Sequence, residues 1–258
     1  MTRHLALEGV DNFRDYGDYP AAGGRRLKRG VLYRSAAHSK ATDADLEALA
    51  ALGIAVVVDL RRTEERQREP SRRPAGFAGT VIVADGDANE EDGWRKHISS
   101  ADLSAESFRA YLLDYYRKAP FDRRHIDLFT RYFQALASAE GPVLIHCAAG
   151  KDRTGILAAL THHVAGVHPD DIAADYLLTN NPVRMAQRLP IVRETIREIS
   201  GRDPDPAAVM IAMGVDTIYL DAAFAAIAER FGGTDAYLEQ ALGVTPAARE
   251  AIKARLLE

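Results

Sequence analysis

Residues 143–160 read VLIHCAAGKDRTGILAAL, and this stretch constrains the fold more than any other part of the chain. Val143–His146 is a short aliphatic run of the kind found in strands buried on both faces. From Arg153 to about residue 164 the apolar residues suit a helix. Only residues 147–152 join the two. A connection that short points successive backbone N–H groups at whatever lies over the helix N-terminus, where the helix dipole also favours an anion. Ala148, Ala149 and Gly150 are small, so the backbone is free to close around a tetrahedral oxyanion.

Cys147 opens this loop, and five residues separate it from Arg153. A lone cysteine at a strand end is ordinarily a small buried hydrophobe. That account leaves the glycine, the arginine, Thr154 and the strand-to-helix context unexplained. A cysteine at the base of an anion cradle is a nucleophile, because the field that binds the anion also favours the thiolate. Arg153 is suited to holding two phosphoryl oxygens at once, a geometry lysine does not reproduce. Thr154 is placed to donate its hydroxyl to the thiolate when it departs as a leaving group. His146 is expected to orient the loop backbone rather than to transfer a proton.

Elsewhere, strands alternate with helices, which predicts an α/β fold. Strands are expected at residues 30–33, 54–59, 80–84 and 143–146. Thr42 reads as an N-cap opening a helix that stops at Gly53. Helices are expected at about 104–116, 123–139 and 153–164. Past Asp170 the chain reads as wholly helical, broken at Pro182, residues 201–206, Gly232-Gly233 and Gly243. The whole is expected to be one domain: a mostly parallel sheet of four or five strands flanked by helices, with an all-helical C-terminal part. Residues 61–73, RRTEERQREPSRR, are read mainly as a solvated helix with pairs such as Glu64 and Arg68. Arg61 is the exception. It ends a strand beside Asp59, where open α/β sheets place ligands, and Asp59 and Arg61 are expected to support the loop.

HCAAGKDRTG resembles the Cys-x5-Arg-Ser/Thr signature of the protein tyrosine phosphatase superfamily. With Gly-Lys-Asp-Arg-Thr-Gly it is similar to the bacterial tyrosine/serine phosphatases of mycobacterial type. Asn12-Phe13-Arg14-Asp15, Tyr33-Arg34-Ser35, Asp59-Leu60-Arg61, Ala174-Asp175-Tyr176-Leu177 and the tail from Tyr219 to Leu257 extend the likeness over nearly the whole chain. The resemblance implies a phosphatase-type fold and metal-free hydrolysis of phosphate monoesters, with no cofactor. Expected partners are a phosphorylated protein or a phosphoinositide, with inorganic phosphate as product. In the resembling enzymes a lysine at the position of Lys151 accompanies phosphoinositide activity. Two readings of it are open: a specific phosphoinositide contact at the pocket mouth, or a general addition to the positive potential.

The leaving oxygen needs a proton from outside the cradle. Asp87 is the first candidate and Asp85 the second, in VADGDANEEDGW after the third strand. An Asp-Gly pair also suits a plain turn, and the family's proline before this Asp is replaced here by Gly86. Asp152 is a rival within the loop, although its neighbour Lys151 suits it better to a structural or water-orienting role. Arg14 and Arg34 read equally well as buttresses of the loop or as surface salt bridges. By resemblance, residues 184–199 and 207–213, with Met185, Met210 and Met213, form a helical lid (about 180–215); a plain packing face accounts for them as well.

Other classes are less favoured. Net charge is −4, so there is no basic nucleic-acid footprint. No apolar run approaches the roughly 18 residues of a spanning helix. His162-His163 point about 100° apart on a helix, and Cys147 lacks a zinc-like partner, so no metal site is expected. One cysteine allows no intrachain disulfide, which with the absence of a signal-like N-terminus suggests a cytoplasmic protein. Rhodanese-like sulfur transfer and a catalytically silent phosphate-binding module are the rival functions; the Arg-Thr close of the loop favours phosphoryl chemistry over both.

Overall fold

The computed structural model describes residues 3–84 and 92–258. In chain order its main elements are β1 (Arg14–Asp15), β2 (Leu32–Ser35), α1 (Asp43–Ala51), β3 (Val56–Asp59), α2 (Thr63–Arg68), β4 (Thr80–Ile82), α3 (Gly93–Ser100), α4 (Ala105–Lys118), α5 (Arg123–Ser138) and β5 (Val143–His146). Helices alone follow: α6 (Asp152–Ala165), α7 (Pro169–Leu177), α8 (Pro182–Ser200), α9 (Pro206–Met213), α10 (Thr217–Phe231), α11 (Thr234–Gln240) and α12 (Pro246–Leu256).

The strands form one sheet in the order β1-β2-β5-β3-β4. β2, β5, β3 and β4 run parallel, and β1 pairs with β2 antiparallel. The mostly parallel α/β sheet expected from the sequence is therefore present. β5 lies at its centre and is buried throughout, as its aliphatic run requires. Register aligns Ser35 with His146 and His146 with Asp59, so these three side chains form a row across the carboxyl edge. β2 lies two residues later than the GVLY reading, and two-residue β1 was not expected as a strand at all.

Alternation along β5 and β3 sorts the core onto two faces. Val143, Ile145, Cys147, Val56 and Val58 join the main apolar cluster with α5, α6 and α12. Leu144 and Val57 face the other way, onto Leu49 of α1, Val10 and Phe13. Thr42 caps α1 as its sequence context predicts, and further caps appear in the structure. Thr42 and Asp45 form a reciprocal capping box on α1, and Ser104 and Asp122 cap α4 and α5. α8 and α9 pack on α3 and α4 through a separate cluster that includes Ile98, Phe108, Ile196, Val209 and Met213. No single helix among the described residues is long and apolar enough to cross a membrane.

Candidate active site

Cys147 directly follows β5, is buried, and sits at the carboxyl edge of the central strand. Between it and α6 the carbonyls of the loop accept hydrogen bonds. Ala148 O accepts from the Ala37 amide at 3.1 Å, and Lys151 O from the Gly155 amide at 2.9 Å. Gly150 O accepts from Asn12 Nδ2 at 2.8 Å and from Arg34 Nη2 at 3.2 Å. Among the described residues, the N–H groups of Ala148, Ala149, Gly150 and Lys151 donate to no protein acceptor. A loop whose carbonyls are tied and whose amides have no acceptor among the described residues, at a helix N-terminus, is suited to cradle an anion. Gly150 makes the turn possible: its φ is 63°, and a Cβ there would lie 2.5 Å from the Ser35 backbone.

Arg153 is held by a residue that the sequence reading left in a solvated helix. Glu65 on α2 accepts from Arg153 Nη1 at 2.5 Å and Nη2 at 2.8 Å, and Leu60 O accepts from Nη1 at 3.2 Å. A guanidinium has five N–H donors, so these three bonds leave Nε–H and one Nη2–H. Those two lie on one edge, the edge that suits two oxygens of a phosphoryl group. Burial opposes ionisation of Glu65, but Arg153 outweighs it and brings the Glu65 pKa down to about 2. Thr154 Oγ1 is buried with no hydrogen-bond partner among the described residues. It is the kind of donor a thiolate would use.

Support comes from two buried networks. Asp175 on α7 accepts from Arg34 Nη1 at 2.7 Å and from Arg14 Nε at 3.3 Å. Arg14 in turn donates to Asn12 Oδ1 at 2.5 Å, and Asn12 and Arg34 clasp Gly150. Arg14 and Arg34 are therefore loop buttresses buried under the sheet edge, and the surface salt-bridge account of them is corrected. Burial and the neighbouring Arg34 push Arg14 down to about 10. Burial disfavours the Asp175 carboxylate, yet the two arginines hold it well below the usual range.

The second network is the row at the strand ends. Asp59 forks onto Arg61, with Nε–Oδ1 at 2.9 Å and Nη2–Oδ2 at 2.7 Å. His146 Nε2 lies 3.6 Å from Asp59 Oδ2. His38 stacks on His146 with ring centroids 5.0 Å apart and accepts or donates at Ser35 Oγ, 2.9 Å away. Desolvation lowers His146 to about 4 despite Asp59, so His146 is neutral at pH 7 and suits orientation better than proton transfer.

The buried histidines make the fold acid-labile. Below its ordinary value of 6.5, His146 takes up a proton in the unfolded chain but not in the folded one until about pH 4. Stability is therefore full above about pH 7 and falls as pH drops, by about 3 kcal/mol from this group across the window. His38 and His125, both lowered by burial, act in the same direction. Thermal unfolding should show a midpoint flat above neutrality and declining from pH 6.5 to 4; a flat profile throughout would contradict this.

Lys151 is not free at the pocket mouth. It is buried, donates to Ala212 O of α9 at 2.6 Å, and lies 3.6 Å from Asp152 Oδ1. Burial lowers its pKa. Asp152 Oδ1 also accepts from Tyr116 Oη at 2.9 Å, and Tyr116 bonds Tyr176 at 2.6 Å. Both contacts fall on Oδ1 of Asp152. Asp85 and Asp87 lie outside the described residues. His162 is buried and bonds Tyr16 O, while His163 pairs with Asp235 at the surface.

Residues 5–258 match the model of the tyrosine phosphatase family. The chain belongs to that family. This phosphatase is 34% identical over 243 residues to a protein named as a tyrosine-protein phosphatase of Cupriavidus necator, covering 94% of this chain and 85% of that one. It is 32% identical over 278 residues to the triple specificity protein phosphatase PtpB of Mycobacterium tuberculosis, covering 97% and 98%. A tyrosine-protein phosphatase of Nostoc commune is 32% identical over 163 residues, covering 62% of this chain and 52% of that one.

The sequence reading missed Glu65, Asn12 and Asp175 as site residues. Glu65 had a readable signal: it stands in the first turn of a helix opening at the strand end that carries Asp59 and Arg61. Asn12 and Asp175 stood inside motifs that carried the family resemblance, but nothing local assigned them a partner.

Proposed function

We propose that this phosphatase hydrolyses phosphate monoesters in two steps through a phosphocysteine on Cys147. The observation that carries the reading is the cradle: four consecutive amides without acceptors among the described residues, with Cys147 at the start and the Nε edge of Arg153 at the end. In the first step the thiolate attacks phosphorus, the P–O bond to the alcohol breaks, and the leaving oxygen takes a proton. In the second, water gives a proton to the carboxylate that the first step left deprotonated and attacks phosphorus, the S–P bond breaks, and inorganic phosphate and the Cys147 thiolate are released. The amides of residues 148–151 and Arg153 stabilise the equatorial oxygens in both. Thr154 stabilises the returning thiolate.

For the first proton we propose Asp87, ahead of Asp85. Asp152 is committed to Tyr116 and Lys151 and is assigned to holding the loop. Asp87→Asn should lower kcat on an alkyl phosphate about 10²–10⁴-fold, with a much smaller loss on p-nitrophenyl phosphate, whose leaving group needs little protonation. The rate-limiting acid would be elsewhere if Asp152→Asn, and not Asp87→Asn, showed that contrast.

The substrate class is proposed as phosphotyrosine first, with phosphoserine/threonine and phosphoinositide as further substrates. PtpB is named a triple specificity protein phosphatase, and Lys151 stands in the matching loop. A panel of phosphotyrosyl, phosphoseryl and phosphoinositide substrates on wild type and Lys151→Ala tests this, beside a cyanide sulfurtransferase assay. Hydrolysis of the phosphotyrosyl substrate without thiocyanate formation is expected. Loss confined to phosphoinositides would assign Lys151 to their headgroup. A uniform loss would assign it to its contact with Ala212. Sulfur transfer without phosphate release would overturn the proposal.

A further inference from the structure

A cavity of about 460 Å³ opens on the His146 face of the sheet, beside the end of α1 and the chain between α2 and β4. This is within the range of small-molecule sites, which are largely apolar with a few convergent polar groups. Leu49, Ile54, Phe77 and Leu144 give it apolar walls. His38 and Arg73 supply the polar part.

Arg73 is the unusual group. It is part-buried, its guanidinium donates to Arg72 O at 3.3 Å, and it forms no ion pair among the described residues. Its neighbours differ. Arg61 is forked onto Asp59, and Arg72 meets Asp43 at 2.5 Å. Asp59 attracts Arg73 from a distance, but both Asp59 oxygens are taken by Arg61. A half-buried cation on an apolar cavity wall, with no ion-pair partner among the described residues, suits an anionic ligand.

We propose that this cavity binds an amphipathic carboxylate, aromatic or medium-chain aliphatic, with the carboxylate on Arg73 and the apolar body against Leu49, Phe77 and Leu144. The site is distinct from the phosphate cradle, because Cys147 packs on the opposite face of the sheet with α6. It is also connected to it. His38 lines the cavity and stacks on His146, the residue before the nucleophile.

Decanoate titrated calorimetrically into the Cys147→Ser protein, with inorganic phosphate present to occupy the cradle, tests the proposal. Saturable binding is expected, weakened about tenfold or more by Arg73→Gln and retained in part by Arg73→Lys. Ala50→Phe, at an exposed position of α1 on the cavity wall, should block binding while leaving the melting curve close to that of its parent. Absence of saturable binding would overturn the proposal. So would displacement by phosphate, or binding indifferent to both Arg73→Gln and Ala50→Phe. None of these outcomes depends on turnover, so the phosphatase reading stands or falls separately.

Discussion

Cys147→Ser should reduce hydrolysis of p-nitrophenyl phosphate to the rate of a no-enzyme control while leaving phosphate or vanadate binding within about threefold. The serine hydroxyl is a far weaker nucleophile than a thiolate, and His146 is not placed to activate it, since it faces the other side of the sheet beside Asp59. The cradle amides and the Arg153 edge are untouched by the change, so the anion keeps its donors. Parallel binding and rate measurements separate loss of chemistry from loss of fold. A serine variant that still turned over would place the nucleophile elsewhere.

Asp175→Ala should cost about 3–5 kcal/mol of stability, because it leaves two buried guanidiniums without their shared carboxylate. That is a large share of the roughly 5–15 kcal/mol that holds a domain folded. Arg14 and Arg34 are both fully buried, and Asp175 contacts each. The same substitution should lower kcat, since Arg34 and Asn12 position Gly150 through this network. Urea unfolding should show a lower midpoint with an unchanged slope. A midpoint within the error of wild type would mean that water or another group already balances the two charges.

The parts legible in the sequence were those whose physics is local. VLIHCAAGKDRTG carries its strand, turn and helix in consecutive residues, and β5, the loop and α6 lie where it puts them. Thr42 announced its cap by residue type and position alone. What was not legible depends on residues far apart meeting. Arg14, Arg34 and Asp175 are separated by up to 161 positions, so the sequence left the two arginines open between buttress and surface salt bridge and gave Asp175 no partner. Glu65 looked like one of several carboxylates in a solvated helix until the fold placed it against Arg153. Lys151 looked exposed because its loop is polar, whereas α9 covers it from sixty-one positions away. Burial of charge needs a partner, and partners across a fold leave no spacing to read.

The central claim is that phosphate passes through a covalent bond to Cys147, and acid-quenched turnover analysed by peptide mass spectrometry tests it most directly. The account predicts a phosphate adduct on the peptide carrying Cys147, appearing within the first turnover, decaying as substrate is exhausted, and missing from Cys147→Ser. Steady hydrolysis with no adduct on that peptide, or an adduct on any other residue, would contradict it.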